Sequence, residues 1–345
     1  MDNGILKSCG DYETCSDKNK NTLKYLVLWV TDRCNLACKY CYAKSNISNT
    51  NMEFHVAKNA LDILEDNSTV ILAGGEPLLN FDLIEKVCLY IRKYKQGIKI
   101  NLQSNGTLIT EEIGKKLKDF NVGIGISLDG MPKVNDINRG NSGEVIKGIS
   151  ILKSLGVNVN LNAVVTQNNV HNLHELIELA LYLGNVKGIG LDLLRQRHKC
   201  VERASCDEVY ESIIKIHEKC EEIKRITGRE IYIREIEDAR IRIEKSLEAC
   251  HYCYASKGEA AVVIPNGDMY ACSSLVGIRE YYYGNILSKY KIKPLIGIEF
   301  KECRNCEYYI ICKKMCPSRT ILNFTGEGIS KEECALRKAC FSIVK

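Results

Sequence analysis

Three cysteines, Cys34, Cys38 and Cys41, stand within the eight residues CNLACKYC. An odd number is a poor start for a disulfide framework, and it is one short of a closed zinc site. Iron–sulfur cubes take thiolates as their usual ligands. One short loop with spacings of four and three can wrap such a cube and leave one iron free for a substrate or cofactor. A zinc site completed by a distant residue is the alternative. The chain carries 18 cysteines in 345 residues, and a second group lies at positions 250, 253, 272, 303, 306, 312, 316, 334 and 340. The N-terminus, MDNGILKSCGDYETCSDKNKN, is polar and mixed in charge, unlike a secretory signal. The expected compartment is therefore the cytoplasm, where dense cysteine means metal or redox chemistry rather than disulfides. Apolar residues make up 45% and charged residues 26% of the chain, as in a soluble globular protein. The net charge of +5 is scattered among acids, with no basic stripe for nucleic acid. Apolar runs such as YLVLWV are too short to cross a membrane.

Something must position these thiols. Short apolar runs at 23–30, 70–73, 99–103, 122–128, 158–165 and 188–194 alternate with amphipathic stretches near 53–66, 82–95, 111–119, 144–155, 172–184 and 207–227. Six β-then-α units predict a parallel sheet with helices outside. A closed barrel needs eight. The expected fold class is therefore α/β, a partial (β/α)6 TIM-like barrel open on one side, followed by a small cysteine-rich domain. We divide the chain into an extension at 1–21, the barrel at 22–235 and a metal-stapled module at 236–345, entered by a helix at 236–249. In parallel α/β folds chemistry gathers at the C-terminal ends of the strands. There stand TDRCNLACKYC, GGEP, SNGT and SLDG, after the first four strands in turn.

The CxxxCxxC loop, with Tyr40 before its last cysteine, and GGEP (residues 74–77) after the next strand resemble the radical S-adenosylmethionine (SAM) superfamily. The resemblance implies SAM as cofactor, chelated to the unique iron of a [4Fe–4S] cluster on Cys34, Cys38 and Cys41. Reductive cleavage of SAM then gives a 5′-deoxyadenosyl radical that takes a hydrogen from the substrate. It also implies SAM contacts at Gly74, Gly75 and Glu76, at Ser104 and Asn105 of SNGT, and at Ser127 and Asp129 of SLDG. Arg139 resembles an arginine that holds the SAM carboxylate, and Tyr40 would offer its backbone to the adenine. Taken without the resemblance, Gly74 and Gly75 let backbone approach a ligand closely. Turn capping is an equal reading for each Ser, Asn and Asp, and a solvated surface side chain for Arg139.

The C-terminal order CX13GX4C…CX2CX5CX3C…C resembles the SPASM domain, an auxiliary iron–sulfur module of radical SAM maturases; a pair of zinc knuckles is the alternative. By that resemblance one auxiliary [4Fe–4S] cluster takes Cys303, Cys306, Cys312 and Cys334, and the other takes Cys253, Cys272 and Cys316, making three clusters in all. The second set lacks a fourth ligand. Cys250, Glu259 and a substrate thiolate each remain open as the completion.

The segment GDMYACSSLVGIREYYYGN resembles maturases that place thioether bridges in small cysteine-rich peptides made on the ribosome. The implied partners are a precursor peptide and a flavodoxin- or ferredoxin-type electron donor. Only some twenty residues precede the first strand, too few for a folded leader-binding domain, so leader recognition falls to a separate protein or to the C-terminal module. Exposed clusters imply oxygen sensitivity and an anaerobic host. A sulfatase-activating enzyme that makes formylglycine is the nearest rival, although Ser273 stands where that family has an aspartate base. A non-catalytic iron–sulfur sensor is the rival of another class, and it needs neither GGEP nor a barrel.

Overall fold

The computed structural model describes residues 5–6, 22–43, 49–197, 201–249, 251–297, 299–323 and 331–345. Cys250 lies outside them, as do Cys9, Cys15, Cys200 and most of the 1–21 extension. The predicted alternation is present. In chain order it comprises β1 (Leu23–Thr31), α1 (Phe54–Asp62), β2 (Leu64–Gly74), α2 (Phe81–Tyr94), β3 (Lys99–Ser104), α3 (Glu111–Asp119) and β4 (Gly123–Ser127). It continues with α4 (Pro132–Asn138), α5 (Ser142–Ser154), β5 (Val159–Val165), α6 (Glu175–Leu183), β6 (Val186–Leu193), α7 (Cys206–Thr227), β7 (Tyr232–Ile233) and α8 (Arg234–Glu244). The last part adds β8 (Ala260–Val263), β9 (Asp268–Tyr270), β10 (Tyr282–Asn285), α9 (Pro317–Leu322) and α10 (Glu332–Val344).

Local chemistry sets several of the boundaries. Ser205 and Glu208 close a capping box on α7, and Gly228 ends the helix at φ 70, where a side chain would be strained. Thr110 accepts from the Ile113 N–H at the start of α3, with Glu111 and Glu112 in the first turn and Lys116 and Lys118 in the last. That charge order suits the helix dipole.

The sheet runs β10-β9-β8-β1-β2-β3-β4-β5-β6-β7. All neighbours from β8 to β7 are parallel, and β9 and β10 are antiparallel additions. β1 is flanked by β2 and β8, so it is apolar on both faces, as buried parallel strands are. Because β8 and not β7 lies beside β1, the barrel stays open. The hairpin after residue 259 thus continues the barrel's own sheet, and α10 packs on α7 and α8. One continuous apolar core runs from Leu23 to Phe341. It includes Cys88, fully buried on α2, which fills space as the apolar face of that helix predicts. No helix among the described residues is long and apolar enough to cross a membrane.

Several elements differ from expectation, among them the entering helix, expected at 236–249 and found at Arg234–Glu244. The helical stretch near 53–66 ends at Asp62, and β2 begins six residues before 70, because Leu23 pairs with Leu64 across a run whose side chains (Glu65, Asp66, Asn67) are polar. Helix α4 was not anticipated. Seven residues with Pro132 in the first turn give little periodic signal.

Candidate functional site

The loop after β1 carries Cys34, Cys38 and Cys41 at the C-terminal edge of the sheet, close enough for their charges to act on one another. Cys34 is exposed, and the other two are half-buried. The loop is pinned by backbone. Gly75 N–H donates to Thr31 O at 2.9 Å, Glu76 N–H donates to Arg33 O at 2.8 Å, and Lys39 N–H donates to Asn138 O at 2.9 Å. This accounts for both glycines. A Cβ on Gly75 would sit 2.1 Å from Arg33 O, and one on Gly74, at φ 135, 2.2 Å from Thr31 O. The space left by the missing side chains is taken on this side by the chain that leads into the cysteine loop.

Glu76 is fully buried. Its carboxylate accepts from the Leu78 N–H (3.1 Å), the Ser104 hydroxyl (2.8 Å) and the Asn105 N–H (2.7 Å), joining the ends of β2 and β3. Asn105 in turn donates to Asn35 Oδ1 at 2.9 Å, and Asn35 donates to Thr107 Oγ1 at 2.8 Å. Asn35 and Thr107 are positioning residues that sequence reasoning missed, although both stand inside the motifs CNLAC and SNGT. Burial pushes the Glu76 carboxyl up to about 7, against its three donors. A carboxyl raised in the folded state favours folding while protonated. Its contribution is full below the ordinary value of 4.5 and fades as pH rises through about 7. Denaturation of the SAM-free protein should therefore show stability falling across that window, with the fall absent in Glu76→Gln.

Asp129 is fully buried and forms the second hub. Oδ1 accepts from the Val164 N–H at 2.9 Å and lies 3.0 Å from Arg139 Nε, while Oδ2 accepts from the Tyr40 hydroxyl. The Arg139 guanidinium also lies 5.2 Å from the Tyr40 ring centre. The structure thus brings Tyr40, Asp129 and Arg139 together beneath the loop. Burial pushes the Cys38 thiol up while Arg139 opposes it, and burial lifts Cys34 to about 11. Ser127, half-buried, ends β4 opposite Asn162 of β5.

The C-terminal cysteines fall into two groups. Cys303, Cys306, Cys312 and Cys334 line one cavity of about 150 Å³ with Tyr308 and Phe341. Burial raises the Cys334 thiol, Lys338 opposes this, and the other three cysteines add to it. Tyr308 stacks on Phe341 at 4.8 Å, so it packs rather than standing free. Burial raises the Cys253 thiol and nearby Cys316 adds to this, and Cys253 and Cys272 both lie within reach of Tyr25 and Tyr283. Each sulfur lies near a serine hydroxyl: Ser256 at 3.7 Å, Ser274 at 3.4 Å and Ser318 at 3.3 Å respectively. Glu259, one of the completions left open, pairs with Lys24 at 3.3 Å. Among the described residues no three His, Cys, Asp or Glu side chains are close enough to share one metal ion. Cys41 and Tyr42 of the mouth loop pack against an apolar cluster of Trp29, Ala43, Val262 and Val276, which joins the loop to the second module. A larger cavity of about 650 Å³ opens at the opposite, N-terminal ends of β3, β4 and β5, away from these groups.

Comparison with known proteins agrees with this geometry. The sequence profile of the Radical SAM superfamily matches residues 29–180. An uncharacterized protein of Methanocaldococcus jannaschii is 35% identical over 299 residues, 84% of this chain and 97% of the relative. The Fe-coproporphyrin III synthase of Methanosarcina barkeri is 26% identical over 84% of this chain and 82% of its own. The cysteine-type anaerobic sulfatase-maturating enzyme of Clostridium novyi is 24% identical over 93% and 94%. Solved structures that share the fold include two with a bound peptide. They are native anSMEcpe with bound AdoMet and Cp18Cys peptide (TM-score 0.75, 21% identity, 92% of this chain and 95% of that one) and Streptococcus suis SuiB bound to precursor peptide SuiA (TM-score 0.66, 17%, 90% and 74%). A profile match that begins inside β1 and takes in the cysteine loop, the GGEP turn and both buried carboxylate hubs identifies the chain as an enzyme of the radical SAM superfamily.

Proposed function

We propose that this enzyme is a peptide maturase that takes a hydrogen from a carbon of a ribosomally made, cysteine-rich peptide and closes a cross-link there, a thioether first among the bond types. Cys34, Cys38 and Cys41 hold the SAM-binding [4Fe–4S] cluster. Cys303, Cys306, Cys312 and Cys334 hold one auxiliary cluster; Cys253, Cys272 and Cys316 hold the other, in a SPASM-type module. The donor set suits this. Within the mouth the carboxylates of Glu76 and Asp129 are already engaged by donors, which leaves the thiols as ligands, and Arg139 eases the charge of a thiolate at Cys38. When bound, SAM and its cluster supply the hydrogen-abstracting radical. The chain's own residues hold and orient: Gly74, Gly75 and Glu76 fix the loop, and Ser104, Asn105, Ser127, Asp129, Arg139 and Tyr40 shape the SAM seat.

One observation carries the reading toward a peptide thiol. Cys41 and Tyr42 of the mouth loop pack on the same apolar cluster as Val262, Tyr270 and Val276 of the second module, so a substrate seated at that seam faces both cysteine groups. The two neighbouring structures, anSMEcpe with Cp18Cys peptide and SuiB with precursor peptide SuiA, support the same class. Formylglycine formation is less well served. Asp192, a carboxylate at this junction, is paired with Arg195 and Arg319 and held below the usual range by them, which makes it a weak base.

The test is anaerobic co-expression with a small cysteine-rich peptide encoded beside the gene, followed by intact mass and thiol alkylation. We expect a loss of two hydrogens per bridge and fewer alkylatable thiols. An unchanged peptide, from a preparation that still cleaves SAM, would turn the reading to a sulfatase-type target or a tetrapyrrole.

A further inference from the structure

The strand end after β6 reaches across to the second module. Arg319 Nε donates to Leu193 O at 3.2 Å, and Asn323 Nδ2 donates to Leu194 O at 2.9 Å. Around Cys316 this contact builds a network of charges. Arg195 pairs with Asp192. Arg319 pairs with Asp192 and with Glu333, at 2.6 Å each. Arg337 pairs with Glu333 at 3.1 Å. The three arginine side chains are 17, 8 and 13% exposed and Glu333 is 3% exposed. Arg337 also reaches Asp238 at 4.0 Å, and Arg242 and Lys313 pair with that same carboxylate, so five cations meet three carboxylates, Asp192, Glu333 and Asp238. A buried surplus of positive charge is costly unless an anion answers it. Here the surplus borders sulfur. Arg195 Nη2 lies 4.0 Å from Cys316 Sγ, the Glu333 carboxylate takes the Cys316 N–H at 2.8 Å, and Arg195 Nε is buried with no hydrogen-bond partner among the described residues.

We infer that Arg195, contributed by the barrel, is a positioning residue for the group held by Cys253, Cys272 and Cys316, and that it raises the reduction potential of that group by facing the Cys316 sulfur. The inference rests on the reading that these thiols hold an iron–sulfur cluster. A cluster gains negative charge on reduction, so a nearby cation and a hydrogen bond to its sulfur both favour the reduced form. Asp192 and Arg319 keep the guanidinium in place, and through them the barrel and the module share one electrostatic unit.

The experiment is an EPR-monitored redox titration of the full chain carrying Cys34→Ala, Cys38→Ala and Cys41→Ala, which leaves both C-terminal sites in place. Cys253→Ser identifies which couple belongs to the three-cysteine group. Arg195→Gln should lower that couple by at least a tenfold change in its equilibrium constant, about 59 mV for one electron, and leave the other couple unmoved at unchanged iron content. Arg195→Lys, which keeps the charge but loses the fork, should fall between. Both couples unmoved, or both moved equally, would overturn the inference. If Arg195→Gln loses iron, Arg195→Lys decides: an unshifted couple overturns it and a lowered one supports it. Absence of any cluster signal from the unsubstituted C-terminal sites would instead sink the cluster reading itself.

Discussion

Replacing Cys34, Cys38 and Cys41 together by alanine should reduce 5′-deoxyadenosine formation from SAM to that of a protein-free control. The same variant should keep its fold and the iron of its C-terminal sites, losing about four irons of about twelve if each site holds a cube. Two features make the separation clean. The three cysteines stand on a loop, with Cys34 exposed and only Cys41 packed against a small apolar cluster around Trp29. The elements beneath are held by contacts the substitution leaves alone, namely Glu76 with Ser104 and Asn105, and Asp129 with Tyr40 and Arg139. Iron counting and circular dichroism check the second part, and chromatography of the nucleoside product checks the first. SAM cleavage that survives all three substitutions would place the chemistry elsewhere in the chain.

Gly75→Ala should be nearly as damaging to activity while adding only one carbon. Its Cβ would meet Arg33 O at 2.1 Å and the Arg33 carbonyl carbon at 2.6 Å, both backbone atoms with no rotamer to yield. Relief requires the cysteine loop to shift, which breaks the Gly75-to-Thr31 and Glu76-to-Arg33 hydrogen bonds. Overpacking of this kind costs about 1–3 kcal/mol of stability, and a displacement of about 1 Å in a reacting geometry costs about a hundredfold in rate. We expect SAM cleavage to fall about a hundredfold, with iron lost from the mouth site first. Gly143→Ala is the matched control. That position lies in α5 with nothing within 4 Å of the added carbon, and alanine there should be neutral or stabilising by up to about 1 kcal/mol. Equal effects of the two substitutions would remove the clasp from the account.

What the sequence revealed, and what it hid, follows the range of each interaction. The six strands were legible because buried parallel strands are short apolar runs with polar turns between them, and the thiols at 303, 306 and 312 because their spacing is local. The reason for the glycines was not legible. Gly74 and Gly75 meet residues 31–33, some forty positions upstream, and nothing near GGEP marks that partner. For Arg139 the sequence offers either the arginine that holds the SAM carboxylate or a solvated surface side chain, and nothing in it marks the pairing with a buried aspartate ten residues upstream. Arg195 and Arg319 carried no signal at all. Arg195 has Asp192 three residues away, but the contacts that join the two halves, Arg319 with Asp192 and Arg195 with Cys316, leave no local trace, and each arginine alone looks like a solvated surface side chain. Polar residues 65–67 disguised the start of β2 because its pairing with β1 there is made by backbone rather than by apolar side chains.

The central claim is that hydrogen leaves a carbon of a peptide. The most direct measurement supplies a cysteine-rich precursor peptide deuterated at its non-exchangeable carbons to the reduced enzyme with unlabelled SAM, and weighs the 5′-deoxyadenosine formed. Deuterium in the nucleoside, rising in step with loss of mass from the peptide, is the predicted result. Unlabelled 5′-deoxyadenosine beside an unaltered peptide would contradict it.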